Sequence, residues 1–176
     1  MRQIRSPYRF AFKYGIANGL FLILTAAIPY ATGSIKQIGQ WPQYIYILFF
    51  IGLLLFSINR FRNQYSADFN LKICILIGVI ISIVSAWFFG LYNLFFDGFI
   101  DPDFAAQQVA STIRQLESSP NMTPDRLERL TAHAKRAHDP LYGSLNILVV
   151  NLILGTVVST VAGLIFKTKN TKVSQI

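Results

Sequence analysis

The sequence predicts an all-α integral membrane protein: a four-helix bundle with a helical extracytoplasmic excursion between spans three and four. Three observations carry that prediction. Four apolar runs follow one another, at about residues 14–35, 41–59, 72–96 and 144–166. The residues between the third and fourth runs repeat apolar side chains at helical spacing. Basic residues collect where the runs end. Composition agrees, with 53% hydrophobic residues among 176 and a mean hydropathy of +0.44, more apolar than an ordinary soluble domain. A single membrane domain over 1–176 follows.

The third run sets the scale. No charge interrupts Ile73 to Phe96. At about 1.5 Å per residue that run makes a helix of roughly 36 Å, enough to cross a hydrocarbon core of about 30 Å with some tilt. The first run, from Tyr14 to about Ile35, follows Arg2, Arg5, Arg9 and Lys13 set among Tyr8, Phe10 and Phe12. Its start is built like a secretion signal, but the run is long for such a core and more spans follow. It is therefore expected to remain as the first span. The second run, Tyr44 to Ile58, opens on Trp41 and Pro42 and stops at Asn59-Arg60-Phe61-Arg62. It is the shortest, so Trp41, Tyr44 and Tyr46 complete its crossing as an interfacial aromatic belt. The fourth run ends at Lys167, Lys169 and Lys172.

A net charge of +8 does not imply nucleic acid. The cations sit at span ends rather than on a basic soluble face interleaved with aromatics. Lys and Arg number ten in the N-terminus, the 59–72 link and the C-terminal tail, against six on the other side. Both termini are expected in the cytoplasm, since short basic segments stay inside. Cys74 is the only cysteine, which excludes an internal disulfide and reads as an apolar filler.

The excursion, about 97–140, opens on an elbow of Asp101, Pro102 and Asp103, with Asp101 expected as a helix N-cap and Pro102 at the first helical position. Ala106, Val109, Ile113 and Leu116 recur on one helical face to about Ser118. Thr123-Pro124 starts a second helix with Leu127, Leu130, Ala134 and Ala137 on one face, ended by Asp139-Pro140. Neither helix has apolar area for a core of its own, so each is expected to lean on the other or on the membrane face.

Chemistry finds little support. No Asp, Glu, Lys, Arg or His interrupts the apolar runs, which weighs against a proton relay, an intramembrane protease or a haem carrier. His133 and His138 lie about 140° apart around a helix and do not clamp a metal from one face. No nucleophile motif is present. The expectation is a non-enzyme with no cofactor and no metal.

The informative pattern is small residues at every fourth position: Asn151, Gly155, Ser159 and Gly163 in the fourth span, and Ser82, Ala86 and Gly90 in the third, with Asn93 on the same face. Gly15 and Gly19 repeat the spacing in the first. Such stripes let helix backbones approach closely where lipid gives no hydrophobic drive to associate. Matching depth from Phe96 and Ser144 places Gly90 near Asn151, Ala86 near Gly155 and Ser82 near Ser159, with Asn151 hydrogen-bonding across the pair or to a nearby backbone carbonyl.

The chain resembles a bacterial membrane family described as domain of unknown function 4199, found mainly in Bacteroidota. The resemblance rests on Lys13-Tyr14-Gly15, Arg60-Phe61-Arg62, the polar link into Lys72, the Tyr92–Phe96 span end and Ile100-Asp101-Pro102-Asp103-Phe104. A Gly/Ser-rich last span with a lysine tail completes the order. One departure is the Ala67-Asp68-Phe69-Asn70 link, where the family commonly carries a glycine-containing segment. The resemblance implies four spans and a bacterial inner-membrane address, and it supplies no activity.

Two functions are therefore expected: a scaffold or accessory subunit of an envelope system, or a transport or lipid-handling component whose pathway forms in an oligomer. The partners are the bilayer and either another membrane protein or a second copy. The basic bias predicts that reporters fused after Ile176 and within the Arg60–Lys72 link are cytoplasmic, while one near Asn121 is exported. An exported C-terminal reporter would reverse the orientation.

Overall fold

The computed structural model describes residues 7–33, 41–65, 69–119, 122–137 and 139–173; the side chains of 105, 137, 140 and 167–173 lie outside that description. Six α-helices follow in order among these residues: α1 Pro7–Ala31, α2 Trp41–Gln64, α3 Leu71–Phe95, α4 Phe104–Glu117, α5 Pro124–Ala137 and α6 Pro140–Val173. A π-helical segment, Phe96–Ile100, extends α3. Four helices are long and apolar enough to span a membrane, over Pro7–Ala31, Trp41–Gln64, Leu71–Ile100 and Leu141–Phe166. The two short helices α4 and α5 lie between the third and fourth of these in the chain.

The helix ends show why the observed spans differ from the apolar runs. Charge ends an apolar slab, but it does not end a ladder of backbone hydrogen bonds. Accordingly α1 starts at Pro7, a residue suited to a first turn because its missing N–H is not needed there, and carries Arg9 and Lys13 within the helix. It stops at Ala31, because Gly33 takes a left-handed φ of 63° and its amide bonds back to the Tyr30 carbonyl at 3.0 Å. The expected end at Ile35 lies outside the described residues. Helix α2 likewise continues past Arg60 to Gln64. Helix α3 is capped by Asn70, whose side-chain oxygen accepts from the Ile73 amide at 2.9 Å.

The chain divides into two compact units, Met1–Phe89 with Leu148–Ile176, and Gly90–Ile147. In the first, α1 and α2 run antiparallel and zip through aromatic pairs. Phe10 meets Phe61 edge-on at 5.3 Å, Tyr14 meets Phe56 at 6.2 Å, and Phe21 stacks on Phe49 at 3.7 Å. The rising number on one helix and falling number on the other fix the direction. Arg62, on α2, lays its guanidinium over the Phe166 ring of α6 at 5.5 Å.

In the second unit, α4 and α5 pack on each other. Val109, Ile113, Leu116, Leu127 and Leu130 are half-buried and Ala134 is buried. The elbow departs from expectation. Asp101 is not a helix N-cap; it closes the π segment, its amide bonding to the Phe96 carbonyl at 3.0 Å. Pro102 and Asp103 form a turn, and α4 begins two residues later than expected, at Phe104, with Asp103 in the cap position and no side-chain cap bond. The cause is hydrophobic: starting at Phe104 brings its ring edge-on to the buried Phe96 at 5.3 Å. The cap geometry expected there occurs at the other Asp-Pro. Asp139 accepts the Tyr142 amide on its carboxylate at 2.9 Å, and Pro140 occupies the first position of α6. Asn93 donates to the Ser144 hydroxyl at 3.3 Å, and Gly90 faces the same serine.

The two cap positions, Asp139 and Asp103, therefore separate in stability. Asp139→Ala is expected to cost about 0.5–2 kcal/mol through loss of the cap. Asp103→Ala, an exposed site without a cap bond, stays within about 0.5 kcal/mol of the parent. Thermal melting of helicity in detergent measures both, and equal effects would refute the assignment.

Candidate functional site: a polar layer inside the bundle

Helix α3 is the centre of the first unit. Of its most apolar stretch 39% is buried, against 28–33% for the other three spans. Two of its faces carry small residues. On one, Gly78 and Ser82 meet Gly155 and Ser159 of α6. A Cβ at Gly78 would lie 2.6 Å from the Gly155 carbonyl oxygen, so only hydrogen fits between the two backbones. A Cβ at Gly155 would collide with the Ser82 hydroxyl and lie 3.1 Å from the Gly78 carbonyl oxygen. Ser82 shares its single proton between its own helix, at the Gly78 carbonyl, and the Asn151 carbonyl across the seam, both at 2.8 Å. Lower on the same seam, Gly163 sits against Cys74 and Leu71.

On its other small face α3 receives α1. A Cβ at Gly15 would lie 2.6 Å from that of Val84, and one at Gly19 would lie 2.8 Å from that of Phe88. Ser85 stands between them. Its hydroxyl donates to the Ile81 carbonyl at 2.6 Å and lies 3.2 Å from the Gly15 carbonyl.

These approaches enclose a polar layer. Asn18 of α1, wholly buried, uses both amide protons, one to the Ser85 hydroxyl at 2.9 Å and one to the Tyr46 phenol of α2 at 3.2 Å. Asn151 of α6 is buried and faces the same phenol, short of a hydrogen bond. The side-chain oxygens of Asn18 and Asn151, and the Asn151 amide nitrogen, have no protein partner. Four helices thus place amide, hydroxyl and phenol groups around one point. The arrangement can orient helices and hydrogen-bond a small polar group. It carries no strong acid or base, and no Asp, Glu, Lys, Arg or His is buried among the described residues.

The small-residue stripes of the sequence fall as follows. Gly15 and Gly19 face α3 rather than the fourth span. Ser82, Gly155 and Ser159 meet in the α3–α6 seam, Gly163 lies further along it, and Ala86 is buried. Gly90 and Asn93 meet Ser144 in the second unit. The register differs from expectation by one helical turn: Gly155 faces Ser82 instead of Ala86, and Ser159 faces Gly78 instead of Ser82. The bond across the seam is also made differently, by Ser82 to the Asn151 backbone and not by the Asn151 side chain. Asn18, Gly78 and Ser85 were not singled out from sequence, and Tyr46, expected in the interfacial aromatic belt, is instead buried with its phenol in the polar layer. An asparagine in the middle of an apolar run, as at Asn18, is the sequence signal for such a layer.

In the excursion His133 is exposed, and His138 lies outside the described residues. No three His, Cys, Asp or Glu side chains come together as metal ligands among the described residues. Comparison with known proteins adds one match. The model of a family described as Protein of unknown function (DUF4199) covers residues 13–168. The chain belongs to that family. The match runs from Lys13 in α1 to Thr168 in α6 and so takes in the seam and polar layer of this DUF4199 protein. No curated protein and no solved structure matches it.

The seam of this DUF4199 chain makes a sharp prediction. Gly78→Ala forces a methyl onto the Gly155 carbonyl and is expected to destabilise the bundle by about 1–3 kcal/mol. Gly52→Ala meets nothing within 4 Å and is expected to be neutral or to gain up to about 1 kcal/mol of helix propensity. Unfolding in mixed micelles compares them; equal behaviour would remove the seam from the account.

Proposed function

We propose that the chain is a non-enzymatic bacterial inner-membrane protein, both termini cytoplasmic, that acts as a scaffold or accessory subunit of an envelope system. The observation that carries this reading is the use made of its polar residues. Ser57, Ser82, Ser85 and Ser159 each bond a carbonyl one turn back on their own helix. Asn18, Ser85 and Ser82 add bonds between helices. Groups employed in this way fix one packing and leave a largely apolar exterior, with Leu48, Trp87, Ile153 and Val157 outward, for lipid or for another membrane protein.

A transport or lipid-handling role is the second reading. It is favoured by the unpartnered side-chain oxygen of Asn18 and the unpartnered side-chain amide of Asn151 in the bundle interior, which are suited to hold a polar solute. Affinity purification from native membranes separates the two. A stable set of co-purifying membrane proteins is the expected result, and a partner-free species would count against an accessory subunit. Solute flux or lipid transfer in reconstituted vesicles, lost in Asn18→Leu, would move the assignment to the second reading.

A further inference from the structure

We propose that the junction of α5 and α6 is a binding site for the phosphodiester headgroup of an anionic membrane lipid. Lys135, Arg136, Asp139 and Tyr142 line an open notch of about 530 Å³ there, within the size range of small-molecule sites. Lys135 and Arg136 form the last turn of α5 and are exposed. Among the described residues neither is paired with a carboxylate. The one acid among the described lining residues, Asp139, turns a carboxylate oxygen to the Tyr142 amide. That contact holds the acid in place as the cap of α6 and keeps it from bridging to the cations. Among the described lining residues, two cations and one acid give a net charge of +1, which matches the single negative charge of a phosphodiester.

Position selects a lipid over a free anion. The apolar span of α6 begins at Leu141, so the notch stands at the start of a membrane crossing, at headgroup depth. Leu141 and Tyr142 are both exposed. A leucine turned outward beside a phenol suits acyl chain below and headgroup above, the preference of interfacial aromatic residues. Tyr142 lines the same notch, and its phenol is a further donor that a phosphodiester could use.

The test uses the full chain purified in a non-ionic detergent and titrated with phosphatidylglycerol, phosphatidylcholine or inorganic phosphate, with bound lipid counted by native mass spectrometry. Phosphatidylglycerol is expected to bind the parent in preference to phosphatidylcholine, and millimolar phosphate is expected not to displace it. Lys135→Gln/Arg136→Gln should weaken phosphatidylglycerol by roughly tenfold or more, on the scale of two lost surface cations. Arg126→Gln/Arg129→Gln, which removes two α5 cations outside the notch, should leave binding near the parent. Equal loss in both pairs would mean diffuse surface charge, and displacement by phosphate would mean a free-anion site; either result overturns the proposal. A readout on the parent alone guards against misfolded variants: phosphatidylglycerol should shield Lys135 from amine acylation, and unchanged labelling also overturns the site.

Discussion

The close approach of α3 and α6 at Gly78 and Gly155 is the contact on which the rest of the first unit depends. In a bilayer, apolar side chains gain nothing by leaving lipid for protein, so helices associate through packing and a few hydrogen bonds. A glycine facing a glycine brings two backbones together and multiplies those contacts. It also brings a carbonyl of one helix within reach of a hydroxyl on the other. Ser82 reaches the Asn151 carbonyl at 2.8 Å because no side chain holds the seam apart. Each such bond between membrane helices adds only about 0.6–2 kcal/mol, so the bond follows from the packing and adjusts it.

Because α3 offers a second small face to α1, it acts as a spine between two partners. Ser82 serves the α6 side and Ser85 the α1 side, three residues and so nearly one turn apart. Both hydroxyls also bond carbonyls within α3, at Gly78 and Ile81. That local bond satisfies the proton in a medium with no water to take it. Helix α2 joins through aromatic stacking on α1 and through the Tyr46 phenol. A phenol suits this task, since it accepts from Asn18 while its ring packs near Phe50, at 6.0 Å between centroids.

The fold was legible because lipid imposes a simple rule. A run of some twenty apolar residues must be a helix, and four such runs separated by polar links give four spans. The small-residue stripes were legible as contact surfaces for the same reason. Their register was not. A stripe repeating every four residues looks the same after a slide of one turn, so Gly155 fits opposite Ser82 as well as opposite Ala86. Only the fit of Gly78 against the Gly155 carbonyl, a contact between residues far apart in the chain, breaks that degeneracy. The elbow failed on a similar ambiguity. Asp101-Pro102-Asp103 contains two possible helix starts, and the choice fell to Phe104 and its contact with Phe96, which lies eight positions back in the chain. The polar layer was hidden differently: Asn18, Tyr46 and Ser85 lie on three helices, and no local pattern marks residues that meet only in the folded bundle.

The chemical identity of that layer constrains what the bundle can do. Asn18 and Asn151 carry amides where a relay would carry carboxylates, and an amide keeps its charge and its hydrogen-bonding pattern as pH changes. Burying an amide costs far less than burying an ion, so the layer needs no countercharge and the interior needs no water path to supply protons. The hydrogen bonds between Asn18, Tyr46 and Ser85, and between Ser82 and Asn151, therefore join the helices through uncharged groups. The groups left over, the Asn18 oxygen and the Asn151 amide, supply both acceptors and a donor. A neutral group that both donates and accepts satisfies such a set better than a bare cation, which would leave the Asn151 N–H pointing at positive charge. On the transport reading proposed above, a solute held by this layer would be neutral and hydrogen-bonding, whereas the ligand proposed for the α5–α6 notch is anionic.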